Sequence, residues 1–372
     1  GVSFTDVRAV GDEFFLILSY QAHFKINYFF YTNTEDEVHS VNLFTGDGGS
    51  HVFQNSQFTF NAPTQTGSII DVKYSNITII NSYFMNLAEN PFFTLFNAEK
   101  TCIILISASI FVNPGKLVEL KDGTFMMMST LIMTKSLSQT ISLEDTKAFI
   151  FDSVIYGTDL IPEFSETRLP PDSQIRILGK SWANITRNQF FNLHGTHGIL
   201  YLSTSLNPYY VELRENMFHN NTAAFGGAIY ASALKGVDTT KSNSTLNIIT
   251  SLFIQNLAKS DDTNEGYGGA VYLTSVDRVP LQANIFGSIF LNNRALTYGG
   301  AIYFDYTPPY IDLYSVFILN FGKYLNHIGS YGVRLGLWDP NNPDNVTYVP
   351  NGSPLNLDFS SELSPWTNFE PG

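Results

Sequence analysis

One short phrase, Gly-Gly-Ala followed by Ile or Val and then Tyr, occurs three times, beginning at Gly226-Gly227, Gly268-Gly269 and Gly299-Gly300. An F-x-x-N motif precedes each copy, running from Phe218 to Asn221, Phe253 to Asn256 and Phe290 to Asn293. A fourth, Phe317 to Asn320, follows without the glycine pair. Repetition at this spacing is the mark of a chain built from stacked units, each burying its apolar face against the next.

Loosening the search to a small polar residue, any residue and a large apolar one extends the repeat. Ten positions align: Ser56/Phe58, Ser82/Phe84, Ser109/Phe111, Ser129/Leu131, Ser153/Ile155, Asn188/Phe190, Asn216/Phe218, Ser251/Phe253, Ser288/Phe290 and Ser315/Phe317. Their separations of 20 to 37 residues suit solenoid coils with loops of variable length. The flanking runs, such as Ile103-Ile104-Leu105-Ile106, are short and β-branched, and no helical period accompanies them.

These features predict an all-β chain, a right-handed parallel β-helix of about ten coils. Strand alternation should send Ile229 and Tyr230 to opposite faces, and likewise Ile302 and Tyr303. Paired glycines suit a sharp corner because glycine adopts positive φ and admits close backbone approach. The asparagine ending F-x-x-N is expected in a left-handed turn, with Asn221, Asn256, Asn293 and Asn320 stacking into a ladder of amides. The phenylalanines should stack inside.

Three regions are expected: strands at 1–50 that could cap an open end, the β-helix at 51–332, and a Pro- and Asn-rich extended tail at 333–372. The tail holds six of the 16 prolines. At 372 residues the chain exceeds a usual domain, but a solenoid lengthens along one axis without a larger core. Aromatic residues make up 15%, enough to fill a narrow interior.

The net charge of −13 and the lack of a basic stripe argue against nucleic acid as a partner. No apolar run reaches the roughly 20 residues of a membrane-spanning helix. A start at Gly1 rather than Met is expected of a processed chain or of a segment of a longer one. Cys102, the single cysteine, reads as a buried small hydrophobe. Six N-x-S/T sequons begin at Asn76, Asn184, Asn220, Asn243, Asn345 and Asn351. They make covalent glycans and extracellular exposure an expectation.

The alternation of F-x-x-N with G-G-A-[IV]-Y resembles the repeats of chlamydial polymorphic outer-membrane proteins, most specifically over 216–321. Similar pectin-lyase-like β-helix repeats occur in protist surface proteins, ciliates among them. The resemblance implies a secreted or surface-displayed part acting in adhesion or in a coat. The chain departs from the bacterial family in showing no recognisable C-terminal membrane barrel.

Many β-helices cleave acidic polysaccharides, so clusters of acidic and basic residues are candidates for catalysis. Asp261-Asp262 with Glu265 is the best acidic cluster, and a solvated loop is its simpler explanation. His197-Gly198 precedes Asp261-Asp262, and neither N-T-D nor R-I-K occurs, so the polygalacturonase order fails. Glu212, Arg214 and Glu215 read as a charged outer face, and His194 with His197 lacks a third metal ligand nearby. Trp182, Trp338 and Trp366 are scattered. No catalytic residue, metal or cofactor is therefore expected. Two classes of function follow: a non-catalytic building block of a surface filament, appendage or coat, associating with itself or with neighbouring subunits, or an adhesin rod; alternatively, a glycan-binding or glycan-cleaving β-helix. A co-linear patch of acids and aromatics on one face would favour the second.

Overall fold

The computed structural model describes residues 2–5, 14–27, 29–33, 41–60, 67–87, 93–134, 139–157, 173–204, 208–233, 243–260, 265–275, 281–305, 308–330, 335–337 and 347–349. The chain winds as an all-β parallel helix. One sheet contains twelve strands, from Val2–Thr5 to Val316–Ile318, each paired in parallel with its counterparts in the neighbouring coils. A twenty-stranded sheet bends around the rest of each coil, and a five-stranded sheet joins it from His194–His197 onward. Among the described residues the twelve-stranded sheet passes through twelve coils: the ten marked by the repeat, and two more because Val2–Thr5 and Phe29–Asn33 continue it ahead of Gln57–Phe60. Those two coils lack the small-polar signature by which the others were counted. Within 333–372, Leu335–Leu337 pairs antiparallel with Thr347–Val349.

Alternation fills the interior. Phe58, Phe84 and Phe111 stack with centroids 4.3 and 4.9 Å apart. The column passes through Ile132 and Ile155, and resumes as Phe190, Phe218, Phe253, Phe290 and Phe317 at 4.6 to 5.1 Å. Those spacings equal the distance between hydrogen-bonded strands, about 4.8 Å, so register alone brings the rings face to face. The pair read as Ser129/Leu131 is shifted by one. Thr130 and Ile132 are buried, whereas Leu131 faces outward opposite Ile110 and Val154. With a two-residue period, a single step exchanges inside for outside.

Nine turns into the twelve-stranded sheet, from Asn55 to Gly287, place one residue at positive φ and then a small polar one pointing inward. Asn55, Asn81, Asp152, Arg187, Glu215 and Thr250 occupy the first position. In the second, the amide N–H of Ser56 donates to Ser82 Oγ (3.2 Å), that of Ser153 to Asn188 Oδ1 (2.9 Å), and that of Ser251 to Ser288 Oγ (3.1 Å). The buried turn amides thereby gain acceptors from the next coil. Cys102 belongs to a similar arrangement at another corner. Its thiol accepts from the Ser75 amide at 3.4 Å and donates to the Glu99 carbonyl at 2.9 Å. Burial pushes its ionisation upward, which suits a structural thiol.

Candidate functional site

The glycine corners organise the most distinctive surface. The two glycines of each pair have different tasks. Gly226, Gly268 and Gly299 have φ of 62 to 64°, the left-handed region. The second glycines have no such φ, but a Cβ on Gly227 or Gly269 would collide with the carbonyl oxygen of Gly269 or Gly300 in the next coil. One glycine makes the bend and the other lets the coils close. Gly198 is a one-glycine form of the same corner, at φ 63°.

Behind the corner lies the amide ladder. Asn221, Asn256, Asn293 and Asn320 are at most 2% exposed. The Asn256 side chain accepts from the Asn221 amide (3.2 Å) and side chain (3.0 Å), and donates to Asn293 Oδ1 (2.9 Å) and the Phe218 carbonyl (3.0 Å). The same pattern links Asn293 to Asn320. The left-handed residue, however, is the one before: Asn220, Gln255, Asn292 and Leu319 have φ of 51 to 54°. The expectation that the ladder asparagines take this conformation is corrected for a simple reason. The preceding residue makes the bend, which leaves each ladder asparagine free to point inward.

Outside the corner stand two columns of rings. Tyr201, Tyr230, Tyr272 and Tyr303 stack at 5.2 to 5.3 Å. His197, Phe225, Tyr267, Tyr298 and Tyr324 stack at 5.0 to 5.8 Å. Edge contacts join the columns, as between Phe225 and Tyr272 (5.4 Å) and between Tyr267 and Tyr303 (5.2 Å). Tyr303 points away from Ile302 as strand alternation requires, yet its neighbours leave it only 3% exposed. Burial, helped by Glu265, pushes the Tyr267 phenol up to about 12, and burial raises Tyr230, Tyr272 and Tyr303 as well. Tyr272 donates to Asp305 Oδ2 at 2.9 Å. Within each column the ring faces cover one another, so the columns fasten coil to coil.

A second outer face carries Trp182 and Tyr210, parallel at 6.2 Å. Tyr210 donates to Glu212 Oε2 (3.4 Å) and accepts from Asn247 Nδ2 (3.1 Å), which in turn accepts from Asn284 through its Oδ1 (2.8 Å). Arg214 donates to Glu212 Oε1 at 3.1 Å. Glu215 sits at a turn with φ 55°, apart from this row. The face is a co-linear patch of aromatic, amide and acid that the wide spacing of these residues in sequence conceals.

The other candidates separate. His194 is buried, while His197 joins the ring column against Phe225. Among the described residues no group of three His, Cys, Asp or Glu is placed to hold a metal. Asp261, Asp262, Trp338, Trp366, Asn345 and Asn351 lie outside the described residues; Glu265 accepts from the Tyr267 hydroxyl at 3.3 Å. Of the sequons, Asn76, Asn220 and Asn243 are exposed and Asn184 is half-buried. Asn184 Oδ1 accepts from Thr186 at 2.6 Å, and Asn220 donates to Asn192 at 2.8 Å. No helix in the described residues is long and apolar enough to cross a membrane.

The Chlamydia polymorphic membrane protein repeat matches the chain at residues 217–232 and 287–305. These are coils carrying the F-x-x-N and glycine motifs. No curated protein and no solved structure matches the chain.

Proposed function

We propose that the chain is a non-catalytic rod displayed at a cell surface, a building block of a filament, appendage or coat. The observation that carries this reading is where the repeat-specific residues point. Glycines, amides, phenylalanines and tyrosines all bind one coil to the next, so the repeated part of the sequence serves length and stiffness. The matched repeat, described as one of a membrane protein, supports surface display. Exposed Asn76 and Asn243 are the acceptors best placed for glycans, since Asn184 is half-buried and bonded to Thr186, and the exposed Asn220 already donates its side-chain amide to Asn192.

End-to-end growth is the mode of assembly the last coil favours. Leu313 is 99% exposed and Tyr314 81%, with Leu319 and Phe321 also outward. An open coil end offers both apolar surface and unpaired strand backbone to a further chain. Electron microscopy of the purified full chain tests this: linear polymers, shortened by Leu313→Lys with Tyr314→Ser, support the reading. Isolated rods at every concentration would remove the filament and leave a monomeric adhesin or coat unit.

The Trp182–Tyr210–Glu212 face supports a second reading, a glycan-contacting surface. Binding of acidic and neutral oligosaccharides, measured by calorimetry with wild type and Tyr210→Ala, separates the two. Saturable binding lost in the variant would make glycan recognition the primary role.

A further inference from the structure

The outer face of the twelve-stranded sheet is apolar for most of the length of the rod. From Tyr83–Asn86 to Val316–Ile318, each strand directs two side chains outward, and parallel register assembles these into two columns. Neither column contains Asp, Glu, Lys or Arg; the polar members are Gln189 in one and His219 in the other. Outward Ile110, Tyr156, Ile289 and Ile318 are 39 to 44% exposed. A shallow depression of about 470 Å³ interrupts the ribbon between Leu131 and His219. Turn residues rim it: Asp152, Arg187 and Glu215 on one side, and Asn192, Asn220 and Gln255 on the other. In a chain of net charge −13, two uncharged columns across nine coils are not what a solvated face presents.

We infer that this ribbon is a lateral docking surface for a second copy of the same chain, the two rods lying side by side with ribbon against ribbon. Three observations select that occupant. The side-chain rows repeat every coil, about 4.8 Å, so the ridges of one ribbon fit the furrows of another over their whole length. The backbone beneath is already paired within its own sheet, so a peptide laid on this face would gain no strand hydrogen bonds. The rim is polar and the uncharged strip only about 10 Å wide, which suits a narrow protein contact better than a lipid surface.

The area sets the strength. Nine coils whose strands are about three residues long cover roughly 43 by 10 Å, so the pair buries on the order of 900 Å², below the roughly 1,600 Å² of a standard interface. A single pair of rods should therefore associate weakly and reversibly. In an end-to-end polymer the ribbons would align and the contacts accumulate, turning a weak pair into a bundle.

The test is sedimentation velocity of the full chain from about 1 to about 200 µM, a range set by the weak interface expected. The species are wild type, Ile289→Lys with Leu252→Lys on the ribbon, and Leu313→Lys with Tyr314→Ser at the end. Both pairs lie at outward positions, and circular dichroism checks that each variant keeps its strands. Wild type should form a concentration-dependent dimer. The ribbon variant should weaken it at least about tenfold by burying unpaired ammonium groups; the end variant should not. Negative-stain images of the dimer should show parallel-lying rods of unchanged length. A monomer across the range would overturn the inference, as would self-association that the ribbon variant leaves intact. If only the end variant abolishes association, the end-to-end reading stands and the lateral one falls.

Discussion

The two halves of the rod form the same sheets by different means. Up to about residue 157, the segments outside the described residues, 61–66, 88–92, 135–138 and 158–172, connect the twelve-stranded sheet to the next strand of the large sheet. From about residue 188 that corner carries a third sheet and the glycine phrase, with 261–264 there outside the described residues, and the segments 205–207, 234–242 and 276–280 link consecutive strands of the large sheet. The first half satisfies its turns with Ser and Thr hydroxyls; the second adds a buried amide ladder and stacked outer rings. A parallel coil thus forms without the third sheet, but a corner built with one demands particular residues, because tight turns bury backbone groups that only specific side chains satisfy.

The sharpest way to break the contrast is at the glycine corner. Gly269→Ala would drive a methyl into the Gly300 carbonyl and should cost about 4 kcal/mol or more, or misfold the corner, because two backbones cannot separate cheaply. Gly287→Ala is the control. Unlike Gly269 it has positive φ, 52°, but only Thr250 Cγ2 at 3.5 Å lies near its Cβ position, and the change should cost about 1 kcal/mol. Hydrogen exchange read by mass spectrometry over 265–305 checks both, since a solenoid can open locally.

The ladders come next. Asn256→Ala leaves the Asn221 amide and the Phe218 carbonyl without their partner and should destabilise the adjoining coils by about 3 kcal/mol. Ser109→Ala in the first half removes one acceptor of a single amide at 3.2 Å and should cost about 1 kcal/mol. Equal losses in chemical denaturation would erase the distinction between the halves.

Alkali should single out the second half. The stacked tyrosines ionise later folded than unfolded, so their contribution is present below pH 10 and is lost as pH rises above it. Phenolate absorbance should therefore rise together with loss of strand signal. Tyr272→Leu, costing about 1 kcal/mol at neutral pH, should blunt that sensitivity.

Acid gives the smallest effect and reaches both ends. Burial holds His51 in the first half, and His327 in the last coil, below the ordinary imidazole value of 6.5. The unfolded chain then binds more protons than the folded one, so stability is complete above pH 6.5 and declines as pH falls through the window down to the lowered folded values. Protection against exchange near Phe44–Phe53, corrected for the intrinsic pH dependence of the exchange rate, should fall from pH 7 to 5, and His51→Gln should flatten that response.

Much of this was legible from residue spacing. The glycine phrase and F-x-x-N located four coils, their inner phenylalanines and the amide ladder, because those residues repeat with the structural unit. Ser129 and Thr130 show the limit: both are small and polar, and only pairing register shows which one faces inward. The first two coils had no small-polar marker to count. The Trp182–Tyr210–Asn247 row and the uncharged ribbon were invisible for another reason. Their members are 21 to 37 residues apart with no fixed identity, and they become neighbours only through stacking.

Sequence alone therefore determined that the chain winds into parallel β coils, since a period of identical residues must come from a period of identical environments. It also determined which residues lie inside, through strand alternation. Only the tertiary structure decided what the outside presents. Outward positions are free to vary from coil to coil, so the faces they form are properties of register, which no local stretch of sequence contains.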